Sequence, residues 1–108
     1  MKVEILGTEY LVIEKLESED VLLKERAGYC DHSVKEIVVE KINSEEGSLK
    51  DLSVYKNEVA RHEIIHAFLS ESGLKSCSSW ATNEEMIDFF AIQFPKIVKV
   101  MDKIECLN

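Results

Sequence analysis

Two histidines stand four residues apart in this chain, and a glutamate directly follows the first of them. The segment reads His62-Glu63-Ile64-Ile65-His66. On an α-helix, residues four apart project from one face, so both imidazoles could reach the same metal ion. Glu63 lies on the same side of that helix and could take a proton from a metal-activated water without binding the metal. The pattern therefore predicts a zinc site with His62 and His66 as ligands and Glu63 as general base.

The same helix could also form without any metal. Apolar residues lie between and after the two histidines, and they could bury this face of the helix in either case. The histidines would then be partly buried side chains that hydrogen-bond to carboxylates. The sequence leaves this metal-free interpretation open.

A catalytic zinc needs a third protein ligand and keeps one position for water. The longer motif that takes a third histidine from beyond the same helix is absent, because Leu69 and Ser72 stand at its glycine and histidine positions. Glu71 lies on the helix but points about 140° to 180° away from the two histidines. The third ligand must therefore come from another element.

The next predicted helix begins with acidic residues. Thr82-Asn83-Glu84-Glu85 has the form of a capping box, in which Thr82 and Glu85 bond to free amides of the first turn. Glu84 is then the predicted third ligand. Asp88, one turn further, could accept a hydrogen bond from a ligand histidine and fix its orientation. The helix dipole also favours acidic residues in a first turn, so both could simply be solvated.

Two further side chains could stabilise the oxyanion that forms when a carbonyl is attacked. His32 and Tyr55 supply an imidazole and a phenol, which are groups suited to this role opposite a metal. The simpler interpretations are a polar turn for His32 and a core position for Tyr55.

Local patterns predict a small sheet ahead of the motif. Two β-prone runs on either side of Gly7 predict a hairpin over residues 3–14, and the apolar run at 35–42 predicts a further strand. Residues 27–33 have the composition of a turn leading into that strand. We therefore expect a mostly antiparallel sheet.

Two helices follow in the predicted order of elements. Helical spacing of apolar residues extends from about 49 to 72, where Gly73 suits a left-handed end. A second helix is predicted from about 83 to 107, kinked or broken at Pro95 because proline lacks the amide donor. The expected fold is thus α+β, with the sheet packed against these two helices.

Composition limits the protein class and its partners. The chain has 108 residues, which suits a single domain over 1–108. Its net charge of -8 disfavours nucleic acid as a partner. We expect no membrane association, because no apolar run approaches the ~20 residues of a membrane span. The three cysteines are widely spaced and the N-terminus lacks a secretory signal, so we expect reduced thiols and a cytoplasmic location.

Together, the motif helix and the acidic helix resemble the gluzincin-type zinc metallopeptidases, and most closely the small phage-borne and bacterial proteins of the ImmA/IrrE-like kind. In that pattern the second helix carries a glutamate, an Asp or Asn four residues later, and a Phe-Ala pair just beyond. These fall here on Glu84, Asp88 and Phe90-Ala91. The larger members commonly continue with a leucine-rich segment, which residues 92–96 do not match.

The resemblance implies a zinc-dependent peptidase that acts on a peptide or protein substrate. We expect an extended substrate to add to an exposed sheet edge near residues 35–42. The alternative is a zinc-binding module of the same fold, with weak or no catalysis, that serves protein–protein recognition. A metal-free interaction domain is a further alternative, and the sequence predicts no oligomeric state.

Overall fold

The computed structural model describes residues 1–41 and 52–108 and has an α+β architecture. Four strands form one sheet, two long helices pack against it, and short 3-10 turns connect the elements. The elements are β1 (Lys2–Ile5), β2 (Thr8–Lys15), β3 (Gly28–Asp31), β4 (Glu36–Glu40), α1 (Ser53–Glu71) and α2 (Glu84–Lys103). None of the helices in the described part of the chain is long and apolar enough to cross a membrane.

The strands are arranged in the order β1-β2-β4-β3. β1 pairs with β2 and β3 pairs with β4 in antiparallel fashion, whereas β2 and β4 are parallel. The predicted N-terminal hairpin is confirmed, with a two-residue turn at Leu6 and Gly7, both of which have positive φ. The sheet is therefore mixed, with antiparallel pairings in the majority.

The sequence interpretation missed β3. Part of the segment predicted as a turn is a strand, and only residues after Asp31 turn the chain towards β4. Gly28 and Asp31 are residue types depleted in strands, and it is pairing with β4 that makes this segment extended. Consequently β4 lies inside the sheet, and the expectation of an exposed edge near residues 35–42 is wrong. In the described chain, β3 is an edge strand.

The first helix covers one face of the sheet. Its described part begins at Ser53, and the predicted start at 49–51 lies outside the described residues. It ends at Glu71, and Gly73 follows with a φ of 82°, as the sequence predicts. The core between this helix and the sheet consists of buried residues from both, namely Ile5, Tyr10, Ile37, Val39 and Ala67.

Gly28 is the point where β3 and α1 approach most closely. A Cβ at this position would lie 2.9 Å from the carbonyl oxygen of Val38 and 2.9 Å from Cγ1 of Val59, and 3.4 Å from Cγ of Glu63. Only a residue without a side chain lets the helix pack this close to the strand. The glycine thus positions the Glu63 stretch of α1 against the sheet.

The second helix begins one residue later than the capping box predicts. Asn83 is the N-cap, and its side-chain oxygen accepts a hydrogen bond of 3.0 Å from the amide of Met86. The hydroxyl of Thr82 instead donates to the carbonyl of Ser79, within a 3-10 turn that the sequence pattern did not reveal. The assignment of Thr82 and Glu85 to a capping box is therefore wrong.

The predicted break at Pro95 does not occur, and α2 runs continuously through it. Proline cannot donate to the carbonyl four residues earlier, which is that of Ala91. Nε of Arg61 on α1 donates to this carbonyl at 2.5 Å. A side chain from the neighbouring helix thus replaces the missing backbone donor.

Candidate metal centre

His62 and His66 present their Nε2 atoms to the same point beside α1. The two atoms lie 3.1 Å apart, and the ring centroids are 4.8 Å apart. Together with Glu63 they form a group that could hold a metal ion, with one potential ligand atom from each residue and all of these within 4.8 Å of one another. Helical spacing alone produces this arrangement, because all three residues belong to one turn and a half of α1.

The start of α2 brings two carboxylates to the same place. Oε2 of Glu84 lies 3.1 Å from Nε2 of His62, and Oε1 of Glu84 lies 3.2 Å from Nε2 of His66. On the other side of the first imidazole, Oδ1 of Asp88 lies 2.8 Å from Nδ1 of His62. The histidine side chains are about one-fifth exposed, whereas those of Glu84 and Asp88 are 63% and 58% exposed.

The positions of the protons on the two imidazoles decide which hydrogen bonds this cluster forms. An ionised carboxylate only accepts hydrogen bonds, so Nδ1 of His62 carries the proton that Asp88 accepts, and in the neutral ring Nε2 is a lone pair. That lone pair faces Nε2 of His66 and the oxygens of Glu84. Burial lowers the pKa of His66 and favours its neutral form, although Glu84 acts in the opposite direction. A proton on Nε2 of His66 lets that nitrogen donate to Glu84 or to His62; without this proton, a cation could take both imidazoles and Glu84 as ligands.

The spacing of these acceptors suits a tetrahedral zinc ion. Two ligand atoms that each lie about 2.0–2.1 Å from zinc at a tetrahedral angle stand roughly 3.3–3.4 Å apart. The observed separations of 3.1 to 3.2 Å need only a small adjustment of side chains. Imidazole and carboxylate are also ligands that zinc accepts. Hence the residues fit the metal that the sequence predicts.

Among the described residues, Glu63 is the one acidic or basic residue that is buried, with 7% of its surface exposed. Its burial raises the pKa to about 7, although the charge of His62 opposes this shift. Glu84 and Asp88 contribute to the increase through repulsion of a second negative charge. A carboxyl group with such a pKa exchanges protons readily near neutral pH.

A cleft of about 500 Å³ opens in front of these groups. β3 forms one wall and α1 the other, and the remaining lining comes from the start of α2, from two 3-10 turns and from the segment before β3. An adjoining depression of about 250 Å³ contains Tyr55, Glu58 and Asp88 and shares His62 and Glu63 with the cleft. The lining side chains that the sequence interpretation did not find include Arg26, Tyr29, Cys30, Ser70 and Lys75.

No local signal marks these additional residues. Arg26 and Lys75 belong to connecting segments, where spacing does not predict which way a side chain points. Cys30 lies on the missed strand, and its burial raises the pKa of its thiol to about 11, with Glu63 adding to the shift. It is therefore a protonated thiol rather than a reactive thiolate at neutral pH.

The remaining predicted residues lie at different distances from this cleft. His32 is exposed outside it, and its Nδ1 lies 3.3 Å from Nζ of Lys75. Tyr55 lines the adjoining depression and is 47% exposed, so the core interpretation of Tyr55 is wrong. Glu71 bonds instead to Thr8, Tyr10 and Lys35.

Comparison of this chain with protein-family models, with curated proteins and with solved structures found no match. The structure itself shows a His-Glu-x-x-His segment on α1 whose side chains could hold a metal ion.

Proposed function

We propose that this chain is a zinc-dependent peptidase in which His62, His66 and Glu84 hold the ion and Glu63 is the general base. The observation that carries the proposal is the convergence of acceptor atoms from α1 and α2 beside a buried glutamate. The likeness of the two helices to gluzincin-type sequences supports the same assignment. Asp88 is the positioning residue that fixes the ring of His62.

When bound, zinc would lower the pKa of a water molecule and polarise a substrate carbonyl. Glu63 adjoins His62 in the chain and faces the same cleft, where its carboxylate takes the proton of the attacking water. It then delivers this proton to the amine that leaves. Its burial supports both steps, since the carboxyl group is stable with or without the proton near neutral pH.

The substrate is a peptide in extended form along β3. This strand pairs only with β4 in the described chain, and its residues 28–30 line the cleft beside the two histidines. Backbone groups on its free edge would bind an extended chain with little sequence selectivity. Tyr55 faces the same groove from α1 and is the candidate for an oxyanion donor, whereas His32 points elsewhere.

A second candidate function is recognition of a protein partner through a zinc-containing module without turnover. It is favoured by the open side of the site, where more than half of the Glu84 and Asp88 side chains is exposed. Hydrolysis normally benefits from exclusion of bulk water. The two candidates share the metal and differ only in catalysis.

The test compares the parent protein with Glu63→Gln after loading with one equivalent of zinc. We expect both to retain zinc, while hydrolysis of a fluorescein-labelled unfolded protein falls by about 100-fold to 10,000-fold in the variant. Glu85→Gln, an exposed glutamate that lines neither the cleft nor the adjoining depression, is the matched control and should cleave like the parent.

Three outcomes separate the candidates. Equal cleavage by the parent and Glu63→Gln would show that the assigned base is wrong. Stoichiometric zinc without any hydrolysis would exclude the peptidase and favour the zinc-containing recognition module. Less than stoichiometric zinc, with no increase in melting temperature when zinc is added, would exclude both.

A further inference from the structure

The second half of α2 lies almost entirely outside the packed body of the protein. No residue from Ile92 to Asn108 is buried, whereas Ile87 and Ala91 in the first half are. A helix of 20 residues is about 30 Å long, so this half extends for roughly 15 Å. Its side chains are nevertheless not those of a solvated helix.

An apolar stripe continues along this exposed half. Phe94, Val98 and Met101 lie within about 40° of Ile87 around the helix axis, so they prolong the side that packs against α1. The lysines of this half lie about 120° to 180° from Ile87, on the opposite side; they are Lys96, Lys99 and Lys103. Ile92 and Val100 are exposed on the lysine side, so what distinguishes the stripe is its continuity with the buried Ile87.

The same stripe forms one wall of an apolar groove. The groove lies between α1 and α2, has a volume of about 750 Å³, and uses a different face of α1 from the metal centre. Among the described residues, Arg61 is the one charged residue that lines this groove, and its guanidinium bonds to the carbonyl of Ala91. The groove therefore offers a recess for apolar side chains, with little to attract a polar ligand.

The size of this face is that of an interface. Six large apolar side chains on it are each 38% to 43% exposed: Phe68, Trp80, Met86, Phe94, Val98 and Met101. At roughly 150–250 Å² for a large side chain, they and their partly buried neighbours expose on the order of 500–700 Å². A typical monomer has no apolar patch larger than about 300–600 Å².

We propose that this face binds a second copy of the same chain, with the two α2 helices antiparallel about a two-fold axis. Each molecule carries both a groove between helices and a projecting apolar half-helix. A two-fold arrangement lets each half-helix cover the groove of the other copy. Two copies would bury on the order of 1,000–1,400 Å², which reaches the area needed by a specific interface.

A short helix from another protein would fill the groove and leave the projecting half exposed. A lipid surface is disfavoured by the net charge of -8, because cell membranes carry negative charge. A two-fold dimer buries both the groove and the projecting half of α2, and it keeps the three lysines in water.

The test is sedimentation velocity and light scattering over roughly 5–200 μM, concentrations that span typical weak and strong homodimers. We expect a mass of twice 12.4 kDa for the parent. Val98→Glu places an unpaired charge in the interface and should weaken dimerisation by at least about 100-fold. Val100→Glu is the matched control, since it lies about 140° from Ile87 and should remain dimeric.

Both valines are exposed, at 43% and 62%, so neither change disturbs the core. Circular dichroism spectra of the two variants should accordingly match that of the parent, and Val98→Glu should melt like the parent at dilutions where the parent is monomeric. A parent that is monomeric at every concentration would overturn the proposal, and so would a dimer that survives Val98→Glu. Sedimentation of a monomeric parent with phosphatidylcholine vesicles, lost in Val98→Glu, would instead assign the face to a lipid surface and also overturn it.

Discussion

Glu84 and Glu85 are chemically identical neighbours, yet only one of them reaches the histidines. Successive residues of a helix point about 100° apart, so the first turn of α2 directs Glu84 to the imidazoles and Glu85 to solvent. Oxygens of Glu84 lie 3.1 and 3.2 Å from the two Nε2 atoms. In the described part of the chain, the side chain of Glu85 forms neither an ion pair nor a hydrogen bond. Substitution of each glutamate in turn therefore separates the effect of its position from the effect of its charge.

Replacement of Glu84 by alanine should weaken zinc binding, because it removes one of the three proposed ligands. We expect the dissociation constant to increase by at least about 100-fold, beyond the effect of losing a partner that only orients a ligand. Competition with a chromophoric chelator measures this constant. Glu85→Ala should bind zinc like the parent. Equal losses in the two variants would mean that general negative charge, rather than coordination by Glu84, supports the ion.

A site residue can be predicted from the sequence when the geometry of its own helix is enough to place its side chain. His62, Glu63 and His66 share one helix, and spacing alone brings their side chains together. Glu84 follows from an argument about capping that the structure corrects, since Asn83, not Thr82, caps the helix, and from the resemblance to gluzincin-type sequences. Residues from irregular segments carry no such spacing and could not be predicted at all.

At the scale of elements, the two helices depend on each other at Pro95. The proline removes a donor that the carbonyl of Ala91 needs, and Arg61 supplies it from α1. A rule for one helix predicts a break here, since it cannot include a donor from a neighbouring helix. The same reason explains the missed strand β3, whose extended form depends on pairing with β4. Local patterns predict these elements well only where local interactions dominate.

This dependence predicts a coupling between Arg61 and Pro95. Arg61→Met should lower the free energy of unfolding by about 1–3 kcal/mol, because it leaves the carbonyl of Ala91 without a donor. In a Pro95→Ala background the amide at position 95 supplies that donor, so Arg61→Met should cost at least about 1 kcal/mol less. Urea unfolding of the four proteins of this double-mutant cycle gives the coupling energy. Additive effects would show that the bond between the helices does not compensate for the proline.

At the scale of the whole molecule, one carboxylate joins three parts of the fold. Glu71, the last residue of α1, accepts hydrogen bonds from Thr8 and Tyr10 on β2 and from Lys35 in the turn before β4. The Lys35 ammonium contributes most to lowering the pKa of Glu71, to about 2, and the two hydroxyls contribute further. The network fastens the end of α1 to the sheet, on a face that the candidate metal centre does not use.

Removal of this charge should change how the stability of the whole fold depends on pH. The pKa of Glu71 falls from about 4.5 in the unfolded chain to about 2 in the folded one, so its stabilisation is complete above pH 4.5 and is lost as the pH falls towards 2. Glu71→Gln should therefore melt below the parent at pH 7, and the difference should shrink between pH 4.5 and 2.5. Thermal melts of chelator-treated protein measure this difference, since metal release then contributes nothing.

The control is Glu9→Gln, which changes an exposed carboxylate on β2, the strand that carries Thr8 and Tyr10. The difference between this variant and the parent should not shrink as the pH falls. A difference between parent and Glu71→Gln that stays constant down to pH 2.5 would mean that the charge of Glu71 does not stabilise the fold.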